Sequence, residues 1–140
     1  MIQVPAEIVF SVPEGGEQVN PSADSLRELV LSRGDDFWAA GSGQAALEFK
    51  GVEGGSRFLL TALDEAGFFL IYEPSQGESL CSIDPSAAAK ERDSVTVYVG
   101  GEPMEVPRQN FLDKETAWRV IGDFLHNGQP SPRVGWEAWL

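Results

Sequence analysis

The two residue types best suited to proton transfer or nucleophilic attack near neutral pH occur once each, as His126 and Cys81. His126 falls in the last turn of an expected helix, where the helix dipole favours a cation. With no second histidine, a histidine-based metal site lacks partners, so His126 reads as structural or solvated. A nucleophilic cysteine needs a base or cationic surroundings. Cys81 sits between Leu80 and Ser82, with Lys90 and Arg92 distant in sequence, and reads as a small, inert side chain. Carboxylates are abundant, 22 in all, and adjacent pairs such as Asp35-Asp36 and Asp64-Glu65 could do acid–base work of the glycosidase kind. Both pairs lie in turn-like surroundings, where Asp is favoured for backbone reasons. The glycines at Gly41 and Gly43 and between Gly51 and Gly55 lack the Lys-Ser/Thr ending of a phosphate-binding loop. Neither a Gly-x-Ser-x-Gly elbow nor a spaced Asp-x-Asp-x-Asp loop is present. The chain is therefore expected to carry no catalytic residues, no metal and no cofactor, and not to be an enzyme.

The elements that must position these residues follow from periodicity. Ile2, Val4, Ile8, Phe10 and Val12 occupy even positions of an expected strand over 1–12, which Pro5 would split or hold at an edge. Residues 13–19 read as a turn. Asn20 as N-cap and Pro21 at the first helical position predict a helix carrying Leu26, Leu29 and Val30 and ending at Gly34. Short strands are expected over 37–40 and 45–50, and a hairpin over 57–63 and 68–72 turning on Asp64-Glu65-Ala66-Gly67. The stretch 73–94 lacks periodicity and reads as a long loop, with a helical turn available over 86–90. Val95, Val97 and Val99 form a strand that pairs back through Gly100-Gly101 onto 104–106. Asp113 caps a helix whose apolar stripe is Ala117, Val120, Ile121, Phe124 and Leu125, ended by Asn127-Gly128, and 134–139 reads as a short strand. Trp118 falls at the stripe's edge and Trp136 in the core, Trp38 is expected half-exposed, and Trp139 is open between core and surface. The fold class is α+β: a mostly antiparallel sheet with two main helices packed on one face, forming a single domain over 1–140.

Hydrophobic residues at 42% and charged residues at 23% suit a globular chain that buries one core. The net charge of −12 repels nucleic acid and anionic lipid, so neither is expected as a direct partner, whereas a basic protein would be attracted. The same acidity also serves plain solubility. One cysteine permits no internal disulfide, and the N-terminal residues lack the basic start of a signal peptide, so a cytoplasmic location is expected.

The C-terminal third reads Val106-Pro107-Arg108-Gln109-Asn110-Phe111-Leu112-Asp113, then the helix Ala117 to Phe124, then Gly128-Gln129-Pro130 and Val134-Gly135-Trp136-Glu137. This succession of a polar cap, an Ala-containing helix, Phe, Gly, x-Pro and Trp resembles the Imm1-type immunity proteins of bacterial polymorphic toxin systems. The resemblance covers about the last forty residues, and the N-terminal half matches in architecture. It implies a small cytoplasmic antidote without enzymatic activity that binds a cognate toxin domain, basic and of deaminase fold, and keeps nucleic-acid substrate out. Candidate contacts are Glu73, Glu78 and Asp84 in the long acidic loop with Tyr72 at its root, and Asp35, Asp36 and Trp38 as a second patch. The same residues also suit solvated turns. Two other readings are an acidic adaptor or regulatory subunit of another protein, and a small hydrolase using carboxylates.

Overall fold

A computed structural model describes residues 7–51, 54–86, 94–99 and 101–139. In chain order these form β1 (Glu7–Ser11), β2 (Glu17–Val19), α1 (Ala23–Ser32), α2 (Asp35–Trp38), β3 (Ala45–Gly51), β4 (Gly54–Leu63), β5 (Gly67–Pro74) and β6 (Leu80–Ile83). There follow β7 (Ser94–Val99), β8 (Glu102–Pro107), a 3-10 turn (Arg108–Asn110), β9 (Phe111–Leu112), α3 (Lys114–Asn127) and β10 (Gly135–Ala138). The main sheet is antiparallel in the order β10-β6-β5-β4-β3-β1-β2, and β9 pairs with the first half of β5. β7 and β8 form a separate two-stranded ribbon.

Alternation along the central strands explains the layering. Phe58, Leu60 and Ala62 of β4 and Phe68, Leu70 and Tyr72 of β5 join a core with Leu26 and Val30 of α1 and Ala117, Val120, Ile121 and Phe124 of α3. On the opposite face Phe69 and Ile71 meet Val95, Val97 and Val106 of the ribbon, together with Cys81 and Phe111. β5 is covered on both faces, which is why it reads as an unbroken apolar run rather than an alternating one. The helices pack on one face, as expected, and the ribbon closes the other. No helix among the described residues is long and apolar enough to cross a membrane.

Local sequence sets the boundaries. Asp113 caps α3 by accepting from Thr116 N–H at 2.8 Å, and Gly128 ends it in the left-handed conformation at φ 70°. The cap of α1 differs from expectation: Ser22, not Asn20, accepts from Ser25 N–H at 3.1 Å. Asn20 instead adopts φ 49° and accepts from Ile8 N–H through its side chain, tying the end of β2 to β1. Gly34 has an extended φ of −112° and opens α2 rather than closing α1 in the left-handed region.

Three further expectations are corrected. The stretch 37–40 contributes to the one-turn helix α2, not a strand. Residues 73–94 are not one loop, because β6 runs through them beside β5; the available helical turn over 86–90 lies almost wholly outside the described residues. β1 is internal to the sheet, since Glu17–Val19 supplies an edge strand where a turn was expected.

Trp38 is also corrected. It is 2% exposed, with Phe10, Phe37 and Phe68 around it at 6.4, 4.9 and 5.0 Å and its indole N–H donating to Leu29 O at 3.0 Å. The single turn of α2 rotates the indole inward and leaves the preceding carboxylates outside. Trp136 joins the helix-side core beside Phe58, and Trp139 packs on Phe69 on the ribbon side.

Candidate partner-binding surface

Strand β5 begins at the hairpin turn Asp64-Glu65-Ala66, and this turn gathers charge from three elements. Asp35 at the start of α2 and Asp64 bond reciprocally: Asp64 N–H donates to Asp35 Oδ1 at 2.8 Å and Asp35 N–H to Asp64 Oδ2 at 3.3 Å. The approach needs glycine at 34, where a Cβ would stand 2.8 Å from Asp64 Oδ2. Gly67, at φ 104°, lets the turn press against Leu112 and the α3 cap, where a Cβ would collide with the Leu112 carbonyl oxygen. Asp35, Asp36, Asp64, Glu65, Asp113 and Glu115 are thereby collected at one end of the sheet, all exposed. Two cations lie among them. Lys114 Nζ is 3.7 Å from Asp64 Oδ1, and Arg33 is 3.5 Å from Asp36. Exposed pairs of this kind each contribute about 0–1 kcal/mol and leave the end acidic.

The opposite end is mixed in sign. Lys50 pairs with Glu7, Arg57 with Glu73, and Arg133 with Asp123. Asp123 accepts from Ser131 Oγ at 2.6 Å and Arg133 Nε at 2.7 Å, contacts that hold its carboxyl below the usual range. These groups and His126 line an open dish of about 350 Å³ behind the end of α3. His126 is exposed, as a solvated helix-terminal histidine would be.

Cys81 is the interior's reactive atom, and its surroundings suppress reactivity. Burial, and then the Glu137 carboxylate beside it, push the thiol up to about 12. A thiol held so far above neutral pH supplies almost no thiolate. The surrounding network is structural. Asn110 donates to Ser82 O at 2.9 Å and Glu137 Oε1 at 3.0 Å, while the Ser82 hydroxyl accepts from Leu70 N–H and donates to Asn110 O. It fastens β10, β6 and the 3-10 turn to β5.

The expected contact residues divide. Asp35 and Asp36 belong to the acidic end; Trp38, placed with them from sequence, lies in the core. Tyr72 is buried as well, its hydroxyl donating to Gly128 O at 3.2 Å, so neither aromatic is presented to a partner. Glu73 lies at the far end of β5, bound to Arg57. Glu78 is exposed in the loop that follows. Asp84 emerges at the opposite end of β6, accepting from Ser86 N–H and Oγ. Glu73, Glu78 and Asp84 thus do not form one patch, because β6 separates them. Asp64, Glu65, Asp113 and Glu115, which join Asp35 and Asp36 at this end, were not among the residues expected there. The signal was a hairpin turn and a helix cap that an antiparallel sheet can bring to the same end. Among the described residues no group of three or more His, Cys, Asp and Glu side chains is arranged to hold a metal ion. No protein-family model matches the chain, and no curated protein matches it.

Proposed function

We propose that the chain is an immunity protein, one that binds a cognate bacterial toxin of nucleic-acid deaminase type in the cytoplasm and blocks its active site without chemistry of its own. The acidic end carries the reading: six carboxylates from the α2 start, the β4–β5 turn and the α3 start face solvent together against two cations. A deaminase acting on nucleic acid needs a cationic groove to hold phosphates around its zinc-activated water. A rigid cluster of carboxylates can meet the same lysines and arginines. Opposite fields speed encounter, and packed contacts slow departure. The C-terminal resemblance to Imm1-type immunity proteins supports the same partner class. Effective self-protection requires tight binding, for which a buried interface of about 1,600 Å² is expected.

The test is a deamination assay of the toxin domain encoded beside this chain, titrated with the purified protein. Suppression complete near one equivalent is the expected result. Undiminished turnover at tenfold excess refutes the proposal, and binding without suppression moves the chain to the adaptor reading.

A further inference from the structure

Tyr98 is 55% exposed, while Trp38 and most of the phenylalanines are sealed in the core. It stands on the outer face of the β7–β8 ribbon. The inner residues Val95, Val97 and Val106 are buried against the sheet. Strand alternation puts Thr96, Tyr98, Pro103 and Glu105 on the other side, with Tyr98 opposite Pro103 and Thr96 opposite Glu105. All four of these residues are exposed.

The ribbon tip is braced. Gly101 N–H donates to Ser42 O at 3.0 Å, and Ser42 N–H donates to Pro13 O at 3.1 Å. Gly43, at φ 75°, lies so close that a Cβ there would be 2.9 Å from Tyr98 O. The ribbon tip, the 39–44 loop and the β1–β2 turn therefore form one supported surface. The loop follows α2 directly, which places this surface at the acidic end of the sheet. The β1–β2 turn (12–16), the 39–44 loop and the described ribbon residues (94–99 and 101–107) contain no lysine or arginine, while Glu14, Glu102 and Glu105 are exposed on them.

We infer that the outer face of the ribbon, centred on Tyr98, is the docking surface for the cationic, phosphate-binding face of a protein partner. The inference rests on the immunity reading and names the surface it uses. Charge decides the occupant. A groove built to hold phosphates meets no opposing cation across the three segments. A second copy of the chain would set carboxylate against carboxylate, and a nucleic acid or anionic membrane would be repelled. Tyrosine suits the centre of such a surface, because it brings a large apolar ring with a polar tip and loses few torsions on ordering.

The experiment is calorimetric titration of the full chain with the toxin domain encoded beside it, using Tyr98→Ala, Glu105→Lys, and Gln129→Lys, an exposed residue beyond the far end of α3, as control. Tyr98→Ala should weaken binding about thirtyfold or more, the size of a hot-spot truncation. The charge reversal at Glu105 should weaken it and flatten its salt dependence, and Gln129→Lys should change it less than about twofold. Both ribbon variants should melt with the parent, since they alter exposed side chains. If the parent binds tightly and both ribbon variants bind within about twofold of it, the docking surface is elsewhere and the immunity reading stands. If the parent does not bind, that reading fails and this inference falls with it. If sedimentation shows a dimer that Tyr98→Ala dissociates, the face belongs to a second copy and the inference is overturned.

Discussion

Replacing Gly128 with alanine tests the packing argument where backbone and side-chain demands coincide. Gly128 terminates α3 at φ 70°, and a Cβ there would lie 2.5–2.9 Å from the Phe49 ring. Its carbonyl accepts from both Ser56 Oγ and Tyr72 OH, so the residue cannot move without disturbing β4 and β5. The left-handed conformation costs an L-residue about 1–2 kcal/mol. Displacing a packed ring costs about 1–3 kcal/mol. Reduced freedom of the unfolded chain returns about 0.4–1 kcal/mol. The net expectation is a loss of about 1–4.5 kcal/mol, a substantial share of the roughly 5–15 kcal/mol that holds a domain folded. Gly122 is the internal control: it lies in α3 with nothing within 4 Å of a Cβ, so Gly122→Ala should stabilise by about 0.5–1 kcal/mol. Urea unfolding followed by tryptophan fluorescence reads both, because Trp38 passes from 2% exposure to solvent. Gly128→Ala within about 0.5 kcal/mol of the parent, at unchanged denaturant slope, would refute the account of this helix end.

Three other outcomes follow from the charges and the thiol. Cys81 should resist a disulfide reagent at pH 8 and react only as the protein unfolds, since burial and Glu137 hold its thiol near 12; fast labelling of the native protein would contradict its placement. Asp123 has a lowered folded-state pKa, from its bonds to Arg133 and Ser131. Its contribution is therefore full above the unfolded carboxylate value and is lost as pH falls through the lower folded value. Asp123→Asn should remove part of the acid-side loss of stability, read as melting temperature against pH, and an unchanged profile counts against the bonding. The net charge of −12 and the crowding of carboxylates at one end predict that added salt raises the melting temperature while weakening the proposed complex with a toxin domain. Movement of both in the same direction would count against charge complementarity.

The parts of the fold legible in sequence are those whose signals are local. The Gly67 hairpin, the β7–β8 ribbon and α3 between Asp113 and Gly128 each carry their period and their turn or caps within one continuous stretch of chain. β6 was not legible because Leu80-Cys81-Ser82-Ile83 has no alternation. Cys81 and Ser82 are both buried, and the serine hydroxyl is satisfied only by Leu70 and by Asn110, 28 residues away. Trp38 was misplaced because four residues of helix carry no readable period, and an acidic pair just before it suggests solvent. The acidic end was half visible: Asp35 and Asp36 could be named, but their meeting with Asp64 across 29 residues depends on strand order.

That meeting bears on how an acidic surface can bind tightly. Carboxylates on free side chains must be ordered when they pair with a partner's cations, and each long side chain so immobilised costs about 0.5–1.5 kcal/mol. Here Asp35 and Asp64 are already fixed by each other's N–H groups, and Asp113 by Thr116 N–H. Each of these bonds occupies one carboxylate oxygen and leaves the other with accepting capacity. The backbone bonds that hold like charges together in the free protein thus reduce the ordering cost of association. Their repulsion is a cost to the isolated chain that the cationic partner proposed above would relieve on binding.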